Sequence, residues 1–258
     1  MTESIKDRLA RDELVLALGM GRVLHHNLIQ VIGIQGGFDA LWFDLEHCGI
    51  PIPDLEMATL AARSQGLDSF VRMAPTDYAT VTRCLEAGSS GVMAAQIFSA
   101  EQAEQFVQWA KFQPRGHRGL NAGGWDGGFG SIPIAEFTER ANRSTFVAIQ
   151  IETAQSVDEC DAIAAIDGVD LLFVGPSDLS QSLGVTGDFW NAKCLEAIER
   201  VSAACRNHGK AWGAVTVSPE HAEMLVEKGC RLVSPTSDVK LIAAGMAAVK
   251  QSYQKFFK

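Results

Sequence analysis

The chain has 258 residues, enough for one large domain or two small ones, and 47% of them are hydrophobic, an ordinary share for a protein with a full core. Its formal net charge is −9 with the acids spread along the chain, which argues against a nucleic-acid partner but not against a small anionic substrate held by one or two local cations. No run approaches the length of a membrane span, Met1–Arg8 is charged where a signal peptide would be apolar, and six cysteines are scattered without a Cys-x-x-Cys pair, so a cytoplasmic protein with free thiols is expected.

Eight short apolar runs are expected as strands: Val15–Met20, Ala40–Glu46, Ser69–Met73, Gly91–Ile97, Phe146–Glu152, Leu171–Gly175, Ala211–Val215 and Arg231–Pro235. Between them, apolar positions recur at helical spacing. Pro53–Ser64 places Leu55, Ala58, Leu60 and Ala61 roughly on one side, and Tyr78–Ala87 does so with Val81 and Leu85. Ala100–Phe112 uses Ala103, Phe106, Val107 and Ala110, and Asn191–His208 uses Leu195, Ile198, Val201 and Ala204. Ser99 and Ser218 are placed as helix caps, and Gly66, Gly88, Gly209 and Gly229 as helix stops.

This repeated alternation predicts an α/β fold, a (β/α)₈ barrel, as a single domain over residues 1–258. A doubly wound open sheet is the competitor, but Gly19-Met20-Gly21-Arg22 lacks the third glycine of a nucleotide-binding turn. The connection from about Gln113 to Ser144 is long and glycine-rich, with Ile134–Ala141 helical, and it either wraps the surface or reaches a neighbouring subunit. Lys240–Lys258 is expected as a helix whose Tyr253, Phe256 and Phe257 seek burial against their own barrel or a partner.

The C-terminal end of a buried parallel strand is where barrels of this kind place chemistry. Two runs lead to one acid each, Glu152 and Asp178, and together the pair would hold a single hard divalent cation. Asp178 on its own would serve as a helix cap. Gln150 shares the face of Glu152 and is placed to donate to a substrate oxygen. Gly175-Pro176-Ser177-Asp178 opens a helix, which would turn the amides of Ser177 and Asp178 toward a carboxylate or phosphate.

The second strand ends Asp44-Leu45-Glu46-His47, two acids on one face followed by an imidazole, as a general base beside a metal would require. Arg72, at the end of the third, either meets an anionic oxygen or pairs with Glu46 or Glu152. Cys48, beside these acids, is expected as a small buried residue and not a nucleophile. No strand end supplies a lysine, so carbanion chemistry here would use a metal in place of an imine. The set fits reversible aldol cleavage, with a cation as Lewis acid and Arg72 stabilising an enolate.

These residues resemble the HpcH/HpaI family of class II, metal-dependent 2-oxo acid aldolases. The likeness rests on Asp44-Leu-Glu-His47, Val71-Arg72, Leu85-Glu-Ala-Gly88, Lys111–Gly119, Ile149-Gln-Ile-Glu-Thr153, Gly168-Val-Asp170, Gly175-Pro-Ser-Asp-Leu-Ser180 and Ser237-Asp238. The resemblance implies a TIM barrel of the phosphoenolpyruvate/pyruvate type, assembled as a hexamer with the last helix exchanged between neighbours. It implies Mg²⁺, Mn²⁺ or Co²⁺ on Glu152 and Asp178, with Asp44 and Glu46 holding metal-bound water. It implies His47 as the base supported by Glu86, Arg72 at the enolate, and a carboxylate hole at Ser177 and Asp178.

Pyruvate and a small aldehyde are the implied products of cleaving a 4-hydroxy-2-oxo acid. A phosphoenolpyruvate-mutase-like enzyme or other carbon–carbon lyase is the alternative, and a barrel that binds oxo acids without chemistry is another. Ala95 in place of a proline, Glu86 in place of Asp and Ser234-Pro235-Thr236 in place of a glycine-bearing turn depart from the family pattern. The first and last of these lie where the acceptor aldehyde would be read.

Overall fold

The structure is a computed structural model that describes residues 3–257. In chain order it runs α1 (Ile5–Ala10), β1 (Val15–Met20), α2 (His26–Gln35), β2 (Ala40–Asp44), α3 (Ile52–Ser64), β3 (Asp68–Met73), α4 (Tyr78–Glu86), β4 (Gly91–Ala94) and α5 (Ala100–Ala110). A 3₁₀ turn at Gly128–Gly130 precedes α6 (Ile134–Ser144), β5 (Phe146–Ile151), α7 (Ala154–Asp158), α8 (Cys160–Ala165), β6 (Leu171–Val174) and α9 (Pro176–Ser182). The chain continues with α10 (Ala192–His208), β7 (Ala211–Val215), α11 (Pro219–Glu227), β8 (Leu232–Ser234) and α12 (Asp238–Ser252).

Each strand pairs in parallel with the next, and β8 pairs with β1, so the sheet closes and the open-sheet alternative is excluded. Alternate strand residues divide the core in two. Ala17, Trp42, Phe70, Met93, Phe146 and Phe173 fill the barrel interior, while Leu18, Phe43, Val71, Val147 and Leu172 face the helical layer. Ser99 and Ser218 cap their helices through the amides of Gln102 and His221, at 3.3 and 3.2 Å. The expected stops at Gly66, Gly88, Gly209 and Gly229 all have positive φ.

Several boundaries differ from expectation in one direction. β2 stops at Asp44, β4 at Ala94, β5 at Ile151 and β6 at Val174, so Glu46, Gln96, Glu152 and Gly175 lie just beyond the ladder, where the chain turns across the barrel mouth. Leu60, expected on the buried side of α3, is 51% exposed, because Thr59 and Ala62 take the inward positions. The first helix was not expected from its charged sequence. It forms because Ile5 and Leu9 pack into the barrel interior while the Ile5 amide donates to Asp68 at 2.7 Å, closing the end opposite the mouth.

The long connection after α5 folds back on its own chain. Phe112, Phe137 and Ala141 form a small core of their own, and the buried Lys111 amine donates to the carbonyls of Asn142 and Thr145 at 3.0 and 2.7 Å. The Trp125 amide donates to the Glu86 carbonyl at 2.9 Å, fixing the glycine-rich stretch to the end of α4. The last helix does the reverse. Asp238 accepts from the amides of Gly21 and Val23 and anchors its start, but Met246, Val249 and Phe256 are exposed, so burial against its own barrel is not what covers them.

Candidate active site

Asp44 is the hinge of one half of the barrel mouth. Its carboxylate accepts from Arg72 Nε at 3.2 Å and from Nη2 at 2.7 Å, and from the amides of Glu46 and His47 at 3.0 and 3.2 Å. Burial works to raise its pKa, but the Arg72 guanidinium and the two amides outweigh it and hold the carboxyl below its usual range. Arg72 Nη1 lies 3.2 Å from Glu46 Oε2, and the guanidinium stands 4.8 Å from the centre of the Trp42 ring. Arg72 thus pairs with Glu46, as expected, but chiefly with Asp44, which was not expected as its partner, while its forked group keeps further N–H donors for a ligand.

Two contributors to this arrangement were not expected. Trp42 carries Arg72 on its ring and donates its indole N–H to Ser234 at 2.9 Å, tying β2 to β8. Gly19 makes room for that ring, since a Cβ there would stand 2.7 Å from it. The partial signal was an Arg and a Trp on neighbouring strands with the same alternation. Cys48 is buried, and burial together with Asp44 raises its thiol pKa, against a nucleophilic role.

Across the mouth, Glu152 is 1% exposed. It accepts from the Gln96 amide at 2.7 Å, from the Gln96 side chain at 3.2 Å, and from Gln150. Gln96 reaches it from a left-handed backbone, φ 52°, and was not expected at the site; a polar residue breaking the apolar run of the fourth strand was the available sign. Gln150 is 2% exposed and gives an N–H to Glu152, while among the described residues its own carbonyl oxygen is left without a partner.

Asp178 lies in the first turn of α9 and shares with Glu152, Gln96 and Gln181 a cavity of about 210 Å³. Pro176 opens that helix, and the amides of Ser177 and Asp178 are among the first-turn N–H groups that no intrahelical carbonyl satisfies. Gly175 lets this turn come close: a Cβ there would lie 2.6 Å from both Gln150 Nε2 and Glu152 Oε2. Among the described residues no three or more His, Cys, Asp or Glu side chains converge as a metal cluster; Glu152 and Asp178 bring two carboxylates to one cavity.

The acids crowd one another. Burial first, then Glu46 and Asp178, push the Glu152 carboxyl up to about 7, and burial also raises Glu46. With an ordinary value of 4.5, Glu152 binds its proton more tightly folded than unfolded. Its stabilising share is complete below pH 4.5 and fades as pH rises through about 7. Compared with a Glu152→Gln variant in chelator, the wild type should therefore lose ground in denaturant midpoint across that window and level off above it. A pH-independent difference would contradict the crowding.

His47 stands at the rim, its side chain 58% exposed, with Nε2 3.7 Å from Glu46 Oε2. Glu86 is elsewhere. It ends α4, borders a groove with Arg63, Asn121 and Trp125, and forms no hydrogen bond or ion pair with His47 within the described chain. Burial raises its pKa, with Arg118 pulling the other way. Within one chain, the expected His47–Glu86 dyad is a His47–Glu46 proximity.

The sequence pattern of the HpcH/HpaI aldolase/citrate lyase family matches residues 23–244. The chain belongs to that family. It is 34% identical to a 4-hydroxy-4-methyl-2-oxoglutarate aldolase of Hapsidospora irregularis, over 81% of this chain and 78% of the relative. A 5-keto-4-deoxy-D-glucarate aldolase of Klebsiella pneumoniae subsp. pneumoniae is 29% identical over 88% and 87% of the two chains. The solved structure of an HpcH/HpaI aldolase/citrate lyase family protein from Burkholderia cenocepacia J2315 superposes with a TM-score of 0.90 at 30% identity, covering 98% of this chain and 100% of that one. The family places the protein among carbon–carbon lyases, and the site described above lies within the matched residues.

Proposed function

We propose that the protein catalyses reversible aldol cleavage of a 4-hydroxy-2-oxo acid to pyruvate, or a close 2-oxo acid, and an aldehyde. The observation that carries this reading is the pair Glu152 and Asp178 facing one cavity across from Arg72, with an exposed imidazole at the rim. The donor set suits a divalent cation: two hard carboxylates, one of them raised to about 7 by burial and by its acidic neighbours, gain from a nearby positive charge. Mg²⁺, Mn²⁺ or Co²⁺ held by Glu152 and Asp178, with Asp44 and Glu46 beside them to orient water, would supply Lewis-acid polarisation of the keto group.

The remaining work falls to the chain. The amides of Ser177 and Asp178 receive the substrate carboxylate. Arg72, clamped flat by Asp44 and by the Trp42 ring, directs its spare N–H groups to the oxygen where charge develops. Gln96 and Gln150 hold Glu152 in place. His47 takes the proton of the 4-hydroxyl in cleavage and returns it in synthesis, with Glu46 Oε2 3.7 Å from its Nε2.

The exposed apolar residues of α12 fit an assembled form, and we read it as a homo-hexamer with that helix exchanged. Among the described residues no helix is long and apolar enough to cross a membrane, and we place the protein in the cytoplasm. The reading is tested with pyruvate and hydroxypyruvate against a panel of aldehydes under each of the three cations. Aldol product with at least one pair is expected. Calorimetric binding of pyruvate with no product across the panel would favour a binding barrel without chemistry.

A further inference from the structure

A second concentration of charge lies at the end of the barrel opposite Glu152. Ser90 and Thr145, which immediately precede β4 and β5, line a cavity of about 190 Å³ together with Arg63, Arg118, Arg140 and Asp126. Arg118 is 5% exposed, donates to the Asp126 carboxylate, and sits 4.6 Å from the centre of the Phe112 ring. Among the described residues its Nε–H has no partner. Arg63, in the last turn of α3, gives one N–H to the Gly88 carbonyl at 2.8 Å and lies 4.0 Å over Trp125, and its Nε–H likewise has no partner among the described residues. Arg140 is exposed and donates to the Asp126 carbonyl at 2.5 Å.

The balance of charge around this cavity is positive. Three guanidinium groups face one carboxylate, Asp126. Glu86 acts on Arg118 from the neighbouring groove, and Asp68 is taken up by Ser90 and by the amides of Ile5 and Ser69. Positive charge held away from bulk water without a full complement of partners is costly. An oxyanion supplies the opposing charge, and guanidinium groups match its geometry.

We propose that this cavity binds a small oxyanion of the phosphate class, between Arg63, Arg118 and Arg140. The volume suits one tetrahedral anion with its waters and not a nucleotide. The anion takes no part in cleavage. It fastens α3, the long connection and α6 to one another, because the three arginines come from those three segments. The inference is independent of the aldol reading, since none of these residues lies at the barrel mouth.

The test is calorimetric titration of the protein with inorganic phosphate and, separately, with glycerol 3-phosphate, at ionic strength matched with chloride. Saturable phosphate binding is expected, weakened about ten-fold or more in Arg140→Gln and further in the Arg63→Gln/Arg140→Gln pair, with pyruvate release unchanged in both. Binding of both ligands identifies a phosphomonoester headgroup, and binding of phosphate alone a free anion; either supports the site. A second measurement needs no variant: phosphate should protect Arg140 of the wild type from phenylglyoxal. Heat no greater than that of chloride, or equal phosphate affinity in wild type and both variants, would overturn the proposal.

Discussion

Glu152→Ala is expected to lose divalent-cation binding and to lower turnover by about 10³-fold or more, since polarisation by a cation contributes several kcal/mol to such transition states. The fold should survive. Glu152 is forced toward neutrality by burial and by Glu46 and Asp178, so deleting it removes crowding. Its loss releases the Gln96 and Gln150 donors, whose contacts position the carboxylate and do not close the barrel. Glu152→Gln separates shape from charge. It keeps the volume beside Gly175, yet should bind the cation as poorly as the alanine variant. Calorimetry with Mn²⁺ on both variants reads the first effect, and a dehydrogenase-coupled pyruvate assay reads the second.

Arg72→Ala should cost about 10²- to 10³-fold in kcat, the usual loss when a donor to a developing oxyanion is removed. It should also destabilise the protein by about 3 kcal/mol, because Asp44 and Glu46 would be left largely buried without their cation. The two effects separate in Arg72→Lys, which keeps the charge but not the two-pronged hold on Asp44. Lysine should recover much of the denaturant midpoint and little of kcat. Equal recovery of both would make Arg72 a structural residue alone.

The barrel was legible in the sequence because eight apolar runs alternate with helical stretches, several of them bounded by a cap or a glycine; closure itself is shown by the pairing of β8 with β1. Strand ends were less legible. Glu46, Glu152 and Gly175 were read as ladder residues, whereas they stand one or two places beyond it, because the pattern records side-chain burial and the mouth is buried too. Glu152, Asp178, Arg72 and Asp44 stood out because charge at the end of an apolar run has few uses, and the fold brings Glu152 and Asp178 to one cavity and Arg72 onto Asp44. Gln96 was missed: its role depends on a left-handed backbone at φ 52°, which nothing in its neighbours announces. Trp42 was missed because an aromatic in a strand reads as core, and its contact with Arg72 comes from cross-strand register, Asp44 opposite Arg72, and not from spacing. Glu86, which likeness of motif suggests as a partner for His47, borders a separate groove of the single chain. The start of α1 and the ends of α12 depend on what they pack against, which local periodicity does not carry.

In the proposed reaction, a cation on Glu152 and Asp178 makes this barrel a pyruvate-forming aldolase. The most direct measurement is pyruvate release from a 4-hydroxy-2-oxo acid by chelator-treated protein as Mg²⁺, Mn²⁺ or Co²⁺ is added back. No release is expected in chelator, with saturable recovery under at least one of the three cations and none at any cation concentration in Glu152→Ala. Undiminished release in chelator, or wild-type turnover by the Glu152→Ala variant, would contradict the proposed reaction.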